Sequence, residues 1–163
     1  MSVCASHDTL AVIVPGLPIA SLFLVASLFT KIIQGELPGR FVWRDNRAVA
    51  FLSIAPLRPG HTLVVPIQEV EDWTDLDPDL LAHLTNVSQI IGKAIDKAFR
   101  PTKVGLMIAG LEVPHVHLHV SPIDSVNDLD FANADPNASA ESLDEAAERI
   151  RAALTDMGYE TPG

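Results

Sequence analysis

Cys4 is the only cysteine in the chain, which excludes an intrachain disulfide and a thiolate metal cluster. A reducing compartment is therefore permitted, and a cytoplasmic location is expected. Aromatic residues are also scarce, at six Phe, two Trp and one Tyr, so each one that is present calls for a packing or binding reason. Positive charge is the third shortage: 11 Lys and Arg stand against 21 Asp and Glu, for a net charge of −10. Nothing in that balance resembles the basic patch that a nucleic acid polymer requires, so no such partner is expected. A mononucleotide stays open, because neutral donors and backbone amides suffice to hold one phosphate. The acidity is uneven. From Asp124 onward ten acids face two arginines (−8), whereas residues 1–123 carry eleven acids and nine bases (−2).

Leu10 to Phe29 is the one long apolar run, but Pro15, Gly16 and Pro18 interrupt it and no Lys or Arg precedes it. That pattern suits neither a membrane span nor a signal peptide, so no membrane partner is expected. Residues 1–26 read as a leader of little structure. The alternative is translation from Val25, since a GTG start codon encodes valine when internal; the mass of the native protein distinguishes the two.

The remainder, with 163 residues in all, fits one domain and an acidic C-terminal extension at 124–163. Ser27 to Gly35 predicts a short capped helix, and Phe41–Asp45 and Ala48–Leu52 a hairpin turning at Asn46-Arg47. His61–Pro66 predicts another strand. Leu80, Leu84, Val87, Ile91, Ala94, Ile95 and Ala98 recur at helical steps and predict one long helix from Asp75 to Phe99, stopped by Pro101. Val104–Ala109 reads as a central strand and Gly110–Pro114 as a turn. Asp124–Ala138 has no period and reads as a surface loop. A last helix is expected at about 139–157, capped by Ser139 and closed by Gly158. Short turns between strands favour an α+β fold with an antiparallel sheet.

The segment Val113-Pro-His-Val-His-Leu-His-Val-Ser-Pro122 places His115, His117 and His119 at alternate positions, with Val116, Leu118 and Val120 between and after them. On a strand this predicts three imidazoles on one face, roughly 6.5–7 Å apart, and aliphatic side chains on the other. Three readings follow from the residues alone. The histidines are wet side chains on an edge strand, or they ligate a metal with help from Glu112, or they surround a phosphate. In the last case a neutral ring attacks phosphorus while its other nitrogen donates to an acceptor that fixes the tautomer. His117, flanked on both sides, is the best-placed nucleophile.

His115-Val-His-Leu-His-Val-Ser121 resembles the signature of the histidine triad (HIT) superfamily, three histidines separated by single hydrophobic residues. Leu28-Phe-Thr-Lys-Ile-Ile-Gln-Gly-Glu-Leu-Pro38 is similar to that family's opening helix, Ala50–Pro56 to its second-strand block, and Arg58–Pro66 to its Gly-His-hydrophobic-Pro strand. These four blocks cover about residues 27–122 in the family's order, nearest the Hint-like nucleoside phosphoramidase branch. The resemblance implies a sheet of about five antiparallel strands, a long central helix, a short N-terminal helix and, here, an added C-terminal helix. It implies a hydrolase or transferase acting on the α-phosphate of a purine nucleoside phosphoramidate or similar conjugate through a covalent nucleotidyl-His117. His115 would orient that ring through its carbonyl, and His119 would contact the phosphate with His61 behind it. Phe29, Ile32, Leu37 and Phe51 would clamp the base, with Ser53 at the ribose and Ala109, Gly110 and Glu112 near the phosphate and leaving group. It also implies a homodimer formed through the long helix and a strand, with no metal or other cofactor in the chemistry. A nucleotide-binding regulatory protein with little turnover is the alternative, and a metal-dependent hydrolase the third.

The chain departs from the family at several positions. Ser53 stands where an acidic ribose ligand is usual. Gly110-Leu-Glu112 stands where Gly-Gln-Ser is usual, so Glu112 either repels the substrate or donates a proton. Ser27, Thr30 and Glu69 stand where some relatives bind a structural zinc with Cys and His, so no such zinc is expected.

Overall fold

The computed structural model describes residues 26–162, so the leader lies, except for its last residue, outside the described residues. Helix α1 spans Leu28–Ile33 and α2 spans Pro78–Phe99. The strands are β1 (Phe41–Arg44), β2 (Ala48–Leu52), β3 (Thr62–Pro66), β4 (Lys103–Ile108) and β5 (Leu118–Ile123), and α3 (Ala140–Asp156) closes the chain. All strand pairs are antiparallel, in the spatial order β1-β2-β3-β5-β4. This is the α+β fold with a five-stranded antiparallel sheet and three helices that the sequence predicts.

The alternation within the strands decides which layer each residue joins. In β2, Ala48, Ala50 and Leu52 enter the main core with α2 and α3, while Val49 and Phe51 point to the other face. There they meet Leu63 and Val65 of β3 and Phe29 of α1. The sheet thus separates a large core beneath the two long helices from a small one beneath α1, and the histidine face is on the α1 side.

Helix boundaries follow their caps. The long helix expected from Asp75 begins at Pro78, because Asp77 caps it by accepting from the amides of Asp79 and Leu80. Trp73–Asp75 forms a separate 3₁₀ turn instead. At the other end Arg100 adopts a left-handed conformation (φ 52°) and Pro101 follows. Ser139 caps α3 as expected, accepting from the Ser142 amide, and Gly158 (φ +87°) follows its end.

Two expectations need correction. The surface loop expected at 124–138 is largely exposed but not without structure: it holds 3₁₀ turns at Val126–Leu129 and Phe131–Asn133. Arg58 fastens it, reaching Asp124 at 2.9 Å and Asp128 at 3.1 Å, and the Asp135 amide donates to the Pro56 carbonyl at 3.1 Å. Nor is the histidine segment one regular strand. Sheet pairing begins at Leu118, because Pro114 has no amide to donate and the His115 amide turns back to the Val113 carbonyl at 2.7 Å. Among the described residues no helix is long and apolar enough to cross a membrane.

Candidate functional site

Four histidines are buried together: His61 (1% exposed), His115 (0%), His117 (4%) and His119 (7%). They do not share one face at strand spacing. His117 and His119 are closer than the 6.5–7 Å expected of a flat strand, with ring centroids 4.7 Å apart. His115 lies behind them, its ring directed at α1 and the end of β3. The kink before Leu118 is the reason.

Their partners fix the tautomers. His115 Nε2 lies 2.9 Å from the Pro66 carbonyl, which only accepts, so Nε2 carries the proton. Nδ1 is then an acceptor and takes the Ser27 hydroxyl proton at 2.7 Å. His117 Nδ1 donates to the His115 carbonyl at 2.8 Å, which leaves the lone pair on Nε2. His61 Nδ1 accepts from the Leu57 amide at 3.1 Å, so its Nε2–H donates to His119 Nδ1 at 3.0 Å. His119 Nε2 therefore carries a proton. The site offers a nucleophilic nitrogen on His117 beside a hydrogen-bond donor on His119.

The tautomer argument requires neutral rings, and burial provides them. Desolvation, with neighbouring imidazoles adding to it, pushes His61 down to about 4 and His119 to about 3. Burial also lowers His115 and His117, against the pull of the carbonyl each one donates to and of nearby Glu69 and Glu112. The unfolded chain binds a proton at each of these positions below about pH 6.5, and the folded chain refuses it. Their contribution to stability is therefore complete above that pH and is lost as pH falls through the window down to about 4. The cost over that window is on the order of 1 kcal/mol per pH unit for each of His61 and His119, and His115 and His117 act in the same direction. Urea midpoints measured from pH 7.5 to 4.5 should decline from about pH 6.5 downward, and a flat profile would contradict the buried neutral rings.

A cavity of about 290 Å³ opens over these rings, at the small end for a ligand pocket. His61, His117 and His119 line it, together with Phe29, Ile32, Phe51, Ser53 and Glu112. Phe29 meets Phe51 edge-on at 5.5 Å and His117 at 5.0 Å, giving an aromatic wall on the His117 side. Gly60 (φ +96°) sets His61 in place; a Cβ there would come within 2.6 Å of the Phe99 ring. Leu37, Ala109 and Gly110 do not line the cavity. Gly35 (φ +80°) reverses the chain after α1 and leaves Leu37 partly exposed, so Pro38, Gly39 and Arg40 reach the cavity instead. Ala109 and Gly110 follow the edge strand β4, and the chain returns to the cavity only at Glu112 and Val113.

The extension supplies residues that sequence reasoning missed. Phe131 packs edge-on against His119 at 5.1 Å and lines the cavity with Ala134, giving it a second apolar wall. Its one available signal was to be the single aromatic residue in the polar stretch 124–138. Arg40 also lines the cavity and is held by Asp144 of α3 at 2.5 Å.

The model of the HIT domain matches residues 34–126 of this chain. The chain belongs to the HIT family. An uncharacterised HIT-like protein of Mycobacterium tuberculosis is 33% identical over 141 residues, covering 79% of this chain and 98% of that one. Among solved structures, a zinc-bound histidine triad family protein from Mycobacterium smegmatis superposes with a TM-score of 0.70 at 28% identity, covering 80% of this chain and 94% of that one. A hypothetical histidine triad nucleotide-binding protein from Sulfolobus tokodaii does so with a TM-score of 0.69 at 28% identity, covering 79% and 92%. In this HIT chain the side chains gathered at the start of α1 suit zinc poorly. Ser27 and Thr30 offer neutral hydroxyls rather than thiolates, and both are engaged, Ser27 with His115 and Thr30 with Glu69. No group of three or more His, Cys, Asp or Glu side chains arranged to hold a metal occurs among the described residues.

Proposed function

We propose that this HIT protein cleaves purine nucleoside phosphoramidates, or similar nucleotidyl conjugates, at the α-phosphate through a covalent nucleotidyl-His117. The observation that carries this reading is the tautomer pair: a free Nε2 lone pair on His117 beside Nε2–H of His119, both rings lining one cavity. His117 Nε2 attacks phosphorus, the bond from phosphorus to the amine nitrogen breaks, and the departing amine takes a proton. Water then attacks phosphorus and gives up a proton to solvent, replacing the one the amine took from it, the P–Nε2 bond breaks, and a nucleoside monophosphate leaves. The His119 N–H donates to a phosphoryl oxygen as its charge grows in each step. His61 keeps that proton on the outward nitrogen.

The base lies against the wall of Phe29, Ile32 and Phe51. Ser53 donates its hydroxyl proton to the Ala55 carbonyl at 3.1 Å, which leaves its oxygen to accept from a ribose hydroxyl. Glu112 sets a carboxylate at the rim, which suits an amine gaining a proton better than a polyphosphate leaving with more negative charge. Phe131 gives the leaving group an apolar surface. Two copies are expected to associate through β4 and α2, because β4 is a sheet edge with Leu106 51% exposed. Beside it on α2, Ser88 Oγ is buried without a partner among the described residues. The single cysteine agrees with a cytoplasmic setting.

Incubation with adenosine 5′-phosphoramidate labelled at phosphorus, followed by a rapid denaturing quench, tests the reaction directly. Label should remain on the protein and map to His117, with turnover unaffected by a chelator. Tight AMP binding with no turnover would favour a regulatory role instead.

A further inference from the structure

The polar residues around the start of α1 form a chain of hydrogen bonds to the ring of His115, the residue whose backbone carbonyl holds the nucleophile. Glu69 Oε2 accepts from the Ser27 amide at 3.1 Å and from the Thr30 hydroxyl. The Ser27 oxygen accepts from the Thr30 amide at 3.1 Å, and its single proton goes to His115 Nδ1 at 2.7 Å rather than to the Thr30 oxygen at 3.2 Å. The opposite nitrogen of His115 donates to Pro66, so both ends of the ring are held. The carbonyl of that same residue receives the His117 proton. Ser27 (6% exposed) and His115 (0%) are buried, whereas Glu69 lies near the surface, held below the usual carboxylate range by the Thr30 hydroxyl and the Ser27 amide.

We propose that Ser27 and Glu69 are positioning residues that act through His115 to keep the His117 proton on Nδ1 and its lone pair on Nε2. An N-cap needs only the bond from Ser27 to the Thr30 amide. The second bond, to a ring 88 residues away, serves no purpose in capping. The Pro66 carbonyl already sets the proton on Nε2; the Ser27 bond anchors the opposite nitrogen, and so holds the way that ring and its residue's carbonyl face. Glu69 holds Ser27 in register from outside by drawing on its amide and on its neighbour Thr30. A hydrogen-bond network thereby holds a place that the donor chemistry denies to zinc, and α1 is fastened to the triad without a metal.

The inference rests on the reaction proposed for His117, but its test has a readout that needs no substrate. Long-range ¹H–¹⁵N correlations of the imidazoles in the full chain at pH 7.5 report which nitrogen carries each proton. The wild-type protein should show His117 as the Nδ1–H form. Ser27→Ala should shift His117 to a mixture of forms and lower kcat roughly 10- to 100-fold, the scale of a small misplacement of a reacting group, with KM nearly unchanged. Ser27→Thr, which keeps the hydroxyl, should restore both. Glu69→Ala should move both readouts in the same direction by less, and because Glu69 is near the surface it reads the network even where Ser27→Ala fails to fold. A pure Nδ1–H signal from His117 in Ser27→Ala, or in Glu69→Ala where that is the variant that folds, overturns the proposal. If the tautomer shifts but the wild-type protein turns over no phosphoramidate, the positioning role stands and the proposed reaction fails.

Discussion

Replacing His117 with alanine is expected to lower kcat for a nucleoside phosphoramidate by on the order of 10⁴ or more, with nucleotide binding retained. The size follows from the role. A nucleophile that forms the bond to phosphorus has no substitute, because the nearest ring, His119, presents N–H rather than a lone pair. His119→Ala removes one donor to the developing phosphoryl charge and should cost about 10²–10³. His61→Ala should fall lower on the same scale, since it leaves His119 in place with its tautomer released. Single-turnover assays on the three variants, with AMP binding by calorimetry, give the ranking. The acid limb of kcat/KM should lie below pH 6.5, because burial lowers the His117 pKa and the nucleophile stays neutral to lower pH. If His117→Ala keeps more than about a hundredth of the rate, the covalent route is wrong. The histidines would then be arranged around an attacking water.

The parts of this molecule visible in its sequence are those that a local period determines. The α2 stripe from Leu80 to Ile95 is buried at each step, and β2 alternates between the two cores as strand geometry requires. Caps were equally readable at Ser27 and Ser139, because the capping bond spans three residues. What the sequence hid depends on long-range partners. Ser27 read as a cap and as the occupant of a zinc-ligand position, and its bond to His115 was hidden because that partner lies 88 residues away. Phe131 sat in a stretch without period, and long-range ties, the Arg58 clamp and the bond from the Asp135 amide to the Pro56 carbonyl, hold that stretch beside His119. Period-two reasoning failed at His115 for a local reason. Pro114 breaks the ladder, so the ring that should have faced the cavity turns behind it. Leu37, Ala109 and Gly110 were named by resemblance alone, and their neighbours in sequence reach the cavity instead.

Ending the chain at Ile123 is expected to abolish cooperative folding, although the HIT domain match extends only to residue 126. Helix α3 is amphipathic and lays its apolar stripe into the main core: Ile150 (0% exposed) and Leu154 (0%) pack with α2 and the sheet, and Leu143 (6%) is buried nearer the start of the same helix. Burying three side chains of that size contributes roughly 5–9 kcal/mol. That is comparable with the whole stability of a domain, about 5–15 kcal/mol. The loss does not stop at the helix, because removing it bares the α2 face and the strand residues it covers. Polar ties go as well: Arg151 donates to the Phe41 carbonyl at 2.8 Å, and Arg149 lies over the Phe99 ring at 4.2 Å. A graded version keeps the chain whole. Ile150→Ala should cost about 2–5 kcal/mol in urea melts, the usual range for an emptied core position. A truncated protein that melts cooperatively near the full-length midpoint would show that α3 covers an already sufficient core. The expected outcome ties fold to chemistry, because the chain that reaches α3 also carries Phe131 past His119 and fixes Arg40 through Asp144. In this protein the wall of the site and the closure of the core belong to one segment.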